Sequence, residues 1–268
     1  MRQVSFILFT IVALAFTACD KLDAYRKQIS AGQESSQADN EVNKAFNAIN
    51  TQVQNAENKT LNLYYLPDSS KVTVNLTNRT AVIDFGSVGL PCPNWDGKTR
   101  KGKLLLSWTG GYRDSGTVII LTTQDYYVDG DGVIINRVTT NRGLNAQGQS
   151  VYAVNAQSTV QTSSGAFTWA STRTHTWTAG EGTLTPFDDI YRIEGTASGT
   201  IRTGESYTVN TRSDDPLVLN VGCRRRLVDG TLDITVQNIS PFQIDYGNGS
   251  CLAPAYVRID GRTYTIVY

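Results

Sequence analysis

The stretch from Phe167 to Trp177 reads FTWASTRTHTW, and its alternation decides the fold class of this chain. Successive side chains of a β-strand point to opposite faces. One face of this stretch therefore carries mostly threonine, which fits a pleated surface. The other face carries aromatic and basic side chains, namely Phe167, Trp169, Ser171, Arg173, His175 and Trp177.

The aromatic and basic face has two interpretations. In the first, Phe167 and Trp169 enter the core, while Arg173 and His175 emerge at the solvated end of the sheet and stack on Trp177. In the second, Arg173, His175 and Trp177, with Trp169 beside them, line a ligand groove in which Trp177 is a stacking platform. The sequence pattern favours the first interpretation.

The same strand pattern runs from position 61 to the C-terminus. Short runs rich in Val, Ile, Thr and Tyr alternate with Asp-Gly, Asn-Gly and serine-rich turn signals. Short turns join antiparallel neighbours, so the sequence predicts one all-β domain over 61–268. We expect an antiparallel meander that forms a large twisted sheet, a sandwich or an open barrel. The VDGDG stretch at 128–132 lacks most ligands of a calcium loop and is predicted to be a hairpin turn.

The N-terminus reads MRQVSFILFTIVALAFTAC and has the three parts of a secretory signal. Its apolar run is shorter than the ~20 residues that cross a bilayer. The ending FTAC resembles the lipobox of bacterial lipoproteins, although Phe16 stands where that family usually has leucine. The resemblance implies that residues 1–18 are a lipoprotein signal peptide and that Cys19 is acylated. The alternative is an ordinary cleaved signal in which Cys19 is incidental.

Two different segments follow the signal. Residues 19–40 are polar and rich in small side chains, so we expect a flexible tether there. Residues 41–57 carry apolar side chains at helical spacing, and Asn40 is suited to cap a helix. The sequence predicts one short amphipathic helix over 41–57, lying on the domain with its apolar face down or ordering only on a partner. Its apolar residues are Val42, Ala45, Phe46, Ile49 and Val53.

Two parts of the predicted domain resemble each other. Residues 80–108 and 241–268 each contain an Ile-Asp-aromatic-Gly strand end, a cysteine-bearing loop and a second Asp-Gly turn. We expect the glycine to end the strand and the aspartate, Asp84 or Asp245, to cap the turn that follows. Units of this kind at opposite ends of a domain could lie side by side and join its ends.

The three cysteines after position 19 are candidates for a disulfide in an oxidising envelope compartment. Residues 227–237 and 241–247 are predicted to form a hairpin, which places Cys223 and Cys251 near the same end. We therefore predict a Cys223–Cys251 bridge. The rival pairing is Cys92–Cys251, which is favoured if the two similar units dock.

Composition and motifs argue against several function classes. The chain has 24 basic and 24 acidic residues, and its one basic cluster, at 224–226, is too short for a nucleic-acid tract. With His175 as the sole histidine, no CxxC and no GxSxG, we expect no metal site, no cofactor and no hydrolytic triad. The acids at 188–189 and 214–215 look like turn residues rather than a glycosidase pair. The sequence thus predicts a non-enzymatic protein.

The FTAC start, the polar segment after it, and the IDFG…C and IDYGNGSC elements together resemble Gram-negative envelope lipoproteins of unknown function. The resemblance implies attachment to the outer membrane through lipid on Cys19, on either the periplasmic or the surface face. We expect a scaffold or interaction module whose partner is an envelope protein or a glycan. The alternative is a carbohydrate-binding surface lipoprotein, since tryptophans stack on sugar rings. These tryptophans are Trp95, Trp108, Trp169 and Trp177.

Overall fold

The fold is one long helix wrapped by one antiparallel sheet. The computed structural model describes residues 4–57, 70–93, 95–183, 185–223 and 227–266. Helix α1 (Val4–Glu57) precedes a meander in which every described strand belongs to the same sheet. The prediction of an all-β antiparallel domain is confirmed as a single large sheet that does not close into a barrel. The first part of the predicted domain, 61–69, lies outside the described residues.

The sheet contains fifteen strands within the described residues. They are β1 (Lys71–Asn75), β2 (Thr80–Asp84), β3 (Leu90–Pro91), β4 (Thr99–Trp108), β5 (Val118–Val128), β6 (Asp131–Leu144), β7 (Ser150–Thr162), β8 (Gly165–Ala179), β9 (Ile190–Thr200), β10 (Ser206–Thr211), β11 (Leu217–Asn220), β12 (Leu227–Val236), β13 (Phe242–Asn248), β14 (Ala255–Ile259) and β15 (Arg262–Ile266). Neighbours follow chain order with two exceptions. Strand β3 pairs only with β4, and β11 lies in line with β10, so that both pair with β9 and β12.

Tight turns between the strands use residues that accept a left-handed backbone. In the β5–β6 hairpin, Val128 pairs with Asp131, while Asp129 and Gly130 have φ angles of 50° and 91°. Two consecutive positive φ angles are the geometry of a two-residue hairpin turn. The VDGDG stretch is therefore a hairpin turn, as predicted.

Strand β8 shows the predicted alternation. Phe167, Trp169, Arg173, His175 and Trp177 are all buried, whereas the threonines between them are exposed or partly exposed. The prediction that these residues share one face is confirmed. That face lies inside the protein along the whole strand, so the prediction that Arg173 and His175 emerge into solvent is wrong.

Helix α1 is buried on most sides between positions 28 and 55. It contacts β1 and β14, near opposite ends of the strand order, as well as β7 and β8 in the middle. A sheet whose two ends reach one helix must curve around it, so we call the helix-covered side the concave face and the opposite side the outer face. A side chain at Gly32 would come within 3.3 Å of Ile244 and Val257, so glycine allows α1 to approach β13 and β14 closely.

The structure corrects the predicted tether over 19–40. These residues belong to α1, and most of them from position 28 onward are buried. The physical reason is that their polar groups find partners on the sheet. Glu34 pairs with Arg202, and Asp39 pairs with Arg173.

The helix predicted over 41–57 is confirmed as helical, but its extent and setting differ from the prediction. It is the last part of a 54-residue helix, and Asn40 lies in the middle of that helix rather than at a cap. Polar residues such as Asn43 and Lys44 are buried along with the apolar ones, so the segment does not lie on the domain with one face down. No described helix combines the length and hydropathy of a bilayer span. The side chains of residues 4–20, including Cys19, lie outside the described ones.

The two similar units contain the same aspartate-to-glycine hydrogen bond. Asp84 Oδ1 accepts a hydrogen bond from the Gly86 backbone N–H at 2.9 Å, and Asp245 Oδ1 accepts one from the Gly247 N–H at 2.7 Å. Both glycines have positive φ angles. The predicted capping role of the aspartates is confirmed. The prediction that the glycine ends the strand holds for Gly86, which follows β2, but is wrong for Gly247, which lies within β13. The two units do not join the ends of the sheet, because β1 and β15 are the two ends of the described strand order.

The predicted disulfide between Cys223 and Cys251 is present, with Cα atoms 5.1 Å apart. It lies at the open end of the predicted hairpin of β12 and β13, in which Thr231 faces Asp245. A hairpin centred on Ile239 would have placed Gly247 opposite Thr231, so the observed register differs from it by two positions. Cys92, the rival partner, is buried elsewhere and its thiol points toward the Leu90 carbonyl oxygen.

Candidate functional site

Three buried arginines form a basic row across the concave face. Arg100 on β4, Arg137 on β6 and Arg173 on β8 are each exposed by 4% or less. Buried charges need partners, because removing an unpaired ion from water is costly. Helix α1 supplies them. Arg173 Nη1 donates to Asp39 Oδ2 at 2.5 Å, and Arg137 Nη1 donates to Asn43 Oδ1 at 2.9 Å.

Arg100 is the centre of a charge network that holds the middle of α1. Its guanidinium donates two hydrogen bonds to Asp96, at 2.6 and 2.8 Å, and a longer one to Glu41 at 3.4 Å. Lys98 donates to Glu41 and Lys44 to Asp96. Burial alone would raise the pKa of Asp96, but its hydrogen bonds and the nearby cations outweigh burial and hold the pKa far below its usual value. The network therefore consists of ionised groups engaged with one another.

A small cavity lies between the C-terminal part of α1 and the concave face. Its volume is about 40 Å³. A buried water needs roughly 10–15 Å³, whereas small-molecule pockets are about 300–1,000 Å³. The cavity therefore has room for a few water molecules but not for a sugar or cofactor while α1 is in place. Its lining is aromatic and basic and includes Tyr112, Arg137, Tyr152, His175, Trp177 and Tyr191.

His175 lines this cavity, but its setting does not suit catalysis. Its side chain is 5% exposed. Burial lowers the pKa of His175 well below its usual value, and the charges of Arg137 and Arg173 lower it further. The imidazole is therefore neutral at physiological pH. A general base must reach its substrate, and this one lies beneath α1.

The four predicted ligand-binding residues share the concave face but do not form one groove. His175 and Trp177 line the small cavity, whereas Arg173 is paired with Asp39. Trp169 lies beside Arg173, whose guanidinium carbon is 5.3 Å from the ring centroid. All four are covered by the protein's own helix, so a ligand role for them stays a prediction.

Asp189 is a titratable residue whose environment sequence patterns did not reveal. Asp188 ends a 3-10 turn (Pro186–Asp188), as expected of a turn residue, but Asp189 is only 4% exposed. Burial raises the pKa of Asp189 to about 7, and the neighbouring charge of Asp188 adds to the rise. The charge of Arg113 acts in the opposite direction.

Replacing Asp189 by asparagine is expected to stabilise the protein at pH 8 but not at pH 4. A carboxyl whose pKa is higher in the folded state lowers the free energy of unfolding as pH rises from its unfolded pKa of 3.8 to about 7. Above that pH the free energy of unfolding falls no further through this group. At pH 8 the free energy of unfolding of the variant should therefore exceed that of wild type by about 1–3 kcal/mol. Urea unfolding at pH 4, 6 and 8 measures this difference. A gain that did not change with pH would show that the amide acts through packing instead.

The outer face carries an open trough of about 640 Å³ across the middle of the sheet. Its outward-pointing side chains form two rows that run across strands β6 to β10. Strand pairing places Asn136, Gln157, Ala170, Ser198 and Thr208 in the first row. It places Val138, Asn155, Thr172, Thr196 and Asn210 in the second. We call this the outer trough.

The outer trough is polar without being charged. Eight of its ten row residues are Ser, Thr, Asn or Gln, and the other two are Ala170 and Val138. Within the part of the chain that the structure describes, no side-chain hydrogen bond ties these eight to the rest of the protein. Their donors and acceptors therefore face solvent. The strand alternation signals such a face, but the register of five strands is needed to assemble it.

No known protein-family model, curated protein or solved structure matches this chain. Among the described residues, no group of three or more His, Cys, Asp or Glu side chains is placed to hold a metal ion. The basic cluster at 224–226 lies outside the described residues. Function therefore has to follow from the geometry of the chain itself.

The tryptophans do not form an exposed platform for sugar rings. Trp108, Trp169 and Trp177 are buried. Trp95 is partly buried, and the Arg100 guanidinium lies 3.9 Å from its ring centroid. Sugar binding through stacked tryptophans is therefore not supported, and the outer trough is one of the open polar sites that remain.

Proposed function

We propose that this chain is a lipid-anchored protein of the cell outer membrane that works as a non-enzymatic scaffold or interaction module. One observation carries the proposal. Helix α1 is continuous from the signal segment, through Cys19, into the concave face of the sheet. An acyl group on Cys19 would thus be joined to the folded body by a helix rather than by a loose tether.

The contacts at the start of the body favour a short, fixed connection. Tyr25 Oη donates to Asp260 Oδ2 at 3.0 Å, and Lys27 Nζ lies 2.9 Å from Glu205. Tyr25 is six residues after Cys19, which is ~9 Å at the rise of an α-helix. The turns that carry Asp260 and Glu205 would therefore face the membrane.

The non-enzymatic part of the proposal is supported by the setting of the reactive groups. His175 is buried and neutral beneath α1, and the ionised groups around Arg100 are paired with one another. The outer trough, in contrast, is a large exposed feature whose two rows offer hydrogen bonds but no charge. This arrangement suits recognition of a partner better than bond making or breaking.

Metabolic labelling with an alkyne fatty acid, combined with a Cys19→Ala variant, tests the anchor. We expect label on the wild-type protein and its recovery with outer-membrane fractions. The variant should carry no label and leave those fractions. An unmodified thiol at Cys19 in wild-type protein recovered from the medium would contradict the anchor. Protease treatment of intact cells then separates a surface location, where the body is cut, from a periplasmic one, where it is protected.

Carbohydrate binding at the cell surface is the second candidate function. The observation that favours it is the outer trough, with eight uncharged hydrogen-bonding side chains in two rows. The tryptophans, which first suggested it, do not contribute. The two candidates are compatible, because a glycan can be the partner of an anchored interaction module.

A further inference from the structure

We propose that the outer trough binds an extended, neutral glycan chain laid across strands β6 to β10. The inference names the ligand of the proposed interaction module, and it rests on that part of the proposed function. It does not depend on acylation of Cys19. It concerns a site other than the buried face of Trp169, Arg173, His175 and Trp177.

The two rows of the outer trough carry no charge, which favours a ligand without charge. Neither row contains an acidic or basic residue. On the next strand, β12, Asp233 faces Asn210, but its carboxylate accepts a hydrogen bond from Gln243 at 2.8 Å. Arg192 and Glu194 on β9 pair with each other at 3.1 Å. An anionic or cationic polymer would give up its hydration without gaining a counter-charge. A neutral polymer loses less favourable hydration on binding, so the site favours a neutral polymer.

The hydrogen-bonding groups decide the chemical class. Asparagine and glutamine side chains both donate and accept, as do serine and threonine hydroxyls. Sugar hydroxyls have the same dual character, so each can be matched. A protein partner would instead be anchored by buried aromatic or arginine side chains, and neither row offers a large apolar pocket or an aromatic anchor to receive it.

A comparison within strand β8 shows that the trough groups are unusually available. One row away, Thr168 Oγ1 and Thr200 Oγ1 hydrogen-bond each other at 2.9 Å. Thr172 and Thr196 are cross-strand neighbours in the same way, yet no side-chain hydrogen bond joins them within the described residues. Their hydroxyls, together with the Asn155 amide beside Thr172, are left for a ligand.

The regular spacing of polar groups across the strands favours a chain of sugars over a single sugar. Neighbouring strands are about 4.8 Å apart, so five strands set out similar polar groups over ~19 Å. The strands hold these groups in place before binding, which limits the entropy lost on association. One sugar would use only a few of them and bind weakly. A linear glycan that spans the rows gains from each repeat.

Native gel retardation of the full chain tests the proposal. The protein is purified in a detergent without a sugar headgroup and run through gels that contain hydroxyethyl cellulose, xylan, mannan or dextran. Gels with polygalacturonate provide the anionic comparison. We expect at least one neutral polymer to retard the protein in proportion to its concentration, and polygalacturonate not to do so.

Variants assign any retardation to the trough. Gln157→Ala combined with Asn155→Ala should raise the apparent dissociation constant about ten-fold, since each lost hydrogen bond contributes modestly. Both side chains are exposed and, within the described residues, make no hydrogen bond to the rest of the protein, so the double variant should keep the fold. Gln161→Ala is the matched control, because Gln161 is exposed on the same strand and outward face but outside the rows, and it should bind like wild type.

Three outcomes would overturn the proposal. They are no retardation by any of the four neutral polymers, equal retardation of the double variant and wild type, and stronger retardation by polygalacturonate than by the neutral polymers. Failure here is distinct from failure of the anchor, because labelling at Cys19 reports only the lipid and gel retardation reports only the trough.

Discussion

Replacing Asp39 by alanine is expected to lower the free energy of unfolding by about 3–5 kcal/mol, because it leaves a buried charge unpaired. The Asp39 and Arg173 side chains are 3% and 2% exposed, so water cannot take the place of the lost carboxylate. Asp39 also accepts a hydrogen bond from Asn43, which in turn accepts one from Arg137. The substitution thus disturbs two of the three arginines in the basic row. Urea unfolding at pH 7 measures the cost.

Two further variants show that the cost comes from burial and not from loss of a charge in general. Asp23→Ala removes an acid from the exposed part of the same helix, where it pairs with Lys27 at 2.8 Å. Exposed pairs contribute about 0–1 kcal/mol, so little change is expected. Adding Arg173→Met to Asp39→Ala removes the unpaired charge and should recover at least half of the loss. A cost below about 1 kcal/mol for Asp39→Ala alone would contradict the buried pairing.

Local patterns in the sequence predicted the sheet well. The period of two in strand β8 is set by neighbouring residues, and the turn at Asp129 and Gly130 by the backbone preferences of those residues. The Cys223–Cys251 bridge followed from hairpin register, which a single turn determines. In each case the information lies within a few residues of the feature that it determines.

The helix over 21–40 was missed because its stabilising partners are remote in sequence. Glu34 meets Arg202, 168 residues away, and Asp39 meets Arg173, 134 residues away. Read alone, a run of Glu, Ser, Gln, Asp and Asn is typical of a solvated segment. Only the curved sheet turns these residues into interior ones.

The same limitation explains the outcome at the candidate site. The sequence placed Arg173 and His175 on one face correctly, but what covers that face is decided by α1. The outer trough needs the register of five strands at once, and a shift of one residue in any of them would turn its side chains inward. Strand patterns therefore identify faces, whereas long-range packing decides which face is open.

A chain that begins at Glu41 is expected to lose cooperative unfolding, whereas one that begins at Lys21 should keep it. Starting at Glu41 removes Asp39, and leaving the buried Arg173 charge unpaired costs about 3–5 kcal/mol. It also removes Glu34, the partner of the more exposed Arg202. It also removes Ser36, which hydrogen-bonds Tyr246 at 2.8 Å, and uncovers the apolar residues under Gly32. These losses together are comparable with the lower end of the roughly 5–15 kcal/mol by which a domain is stable.

Tryptophan fluorescence in urea and binding of a hydrophobic dye follow this prediction, because three of the four tryptophans are buried. The chain that begins at Lys21 should show one steep transition and bind little dye. The shorter chain should show a broad change and bind dye through the exposed concave face. If instead its unfolding free energy lay within about 1 kcal/mol of the longer chain, residues 21–40 would be the flexible tether that their composition suggests. The two truncations thus decide whether α1 is part of the core or only a connection to the membrane.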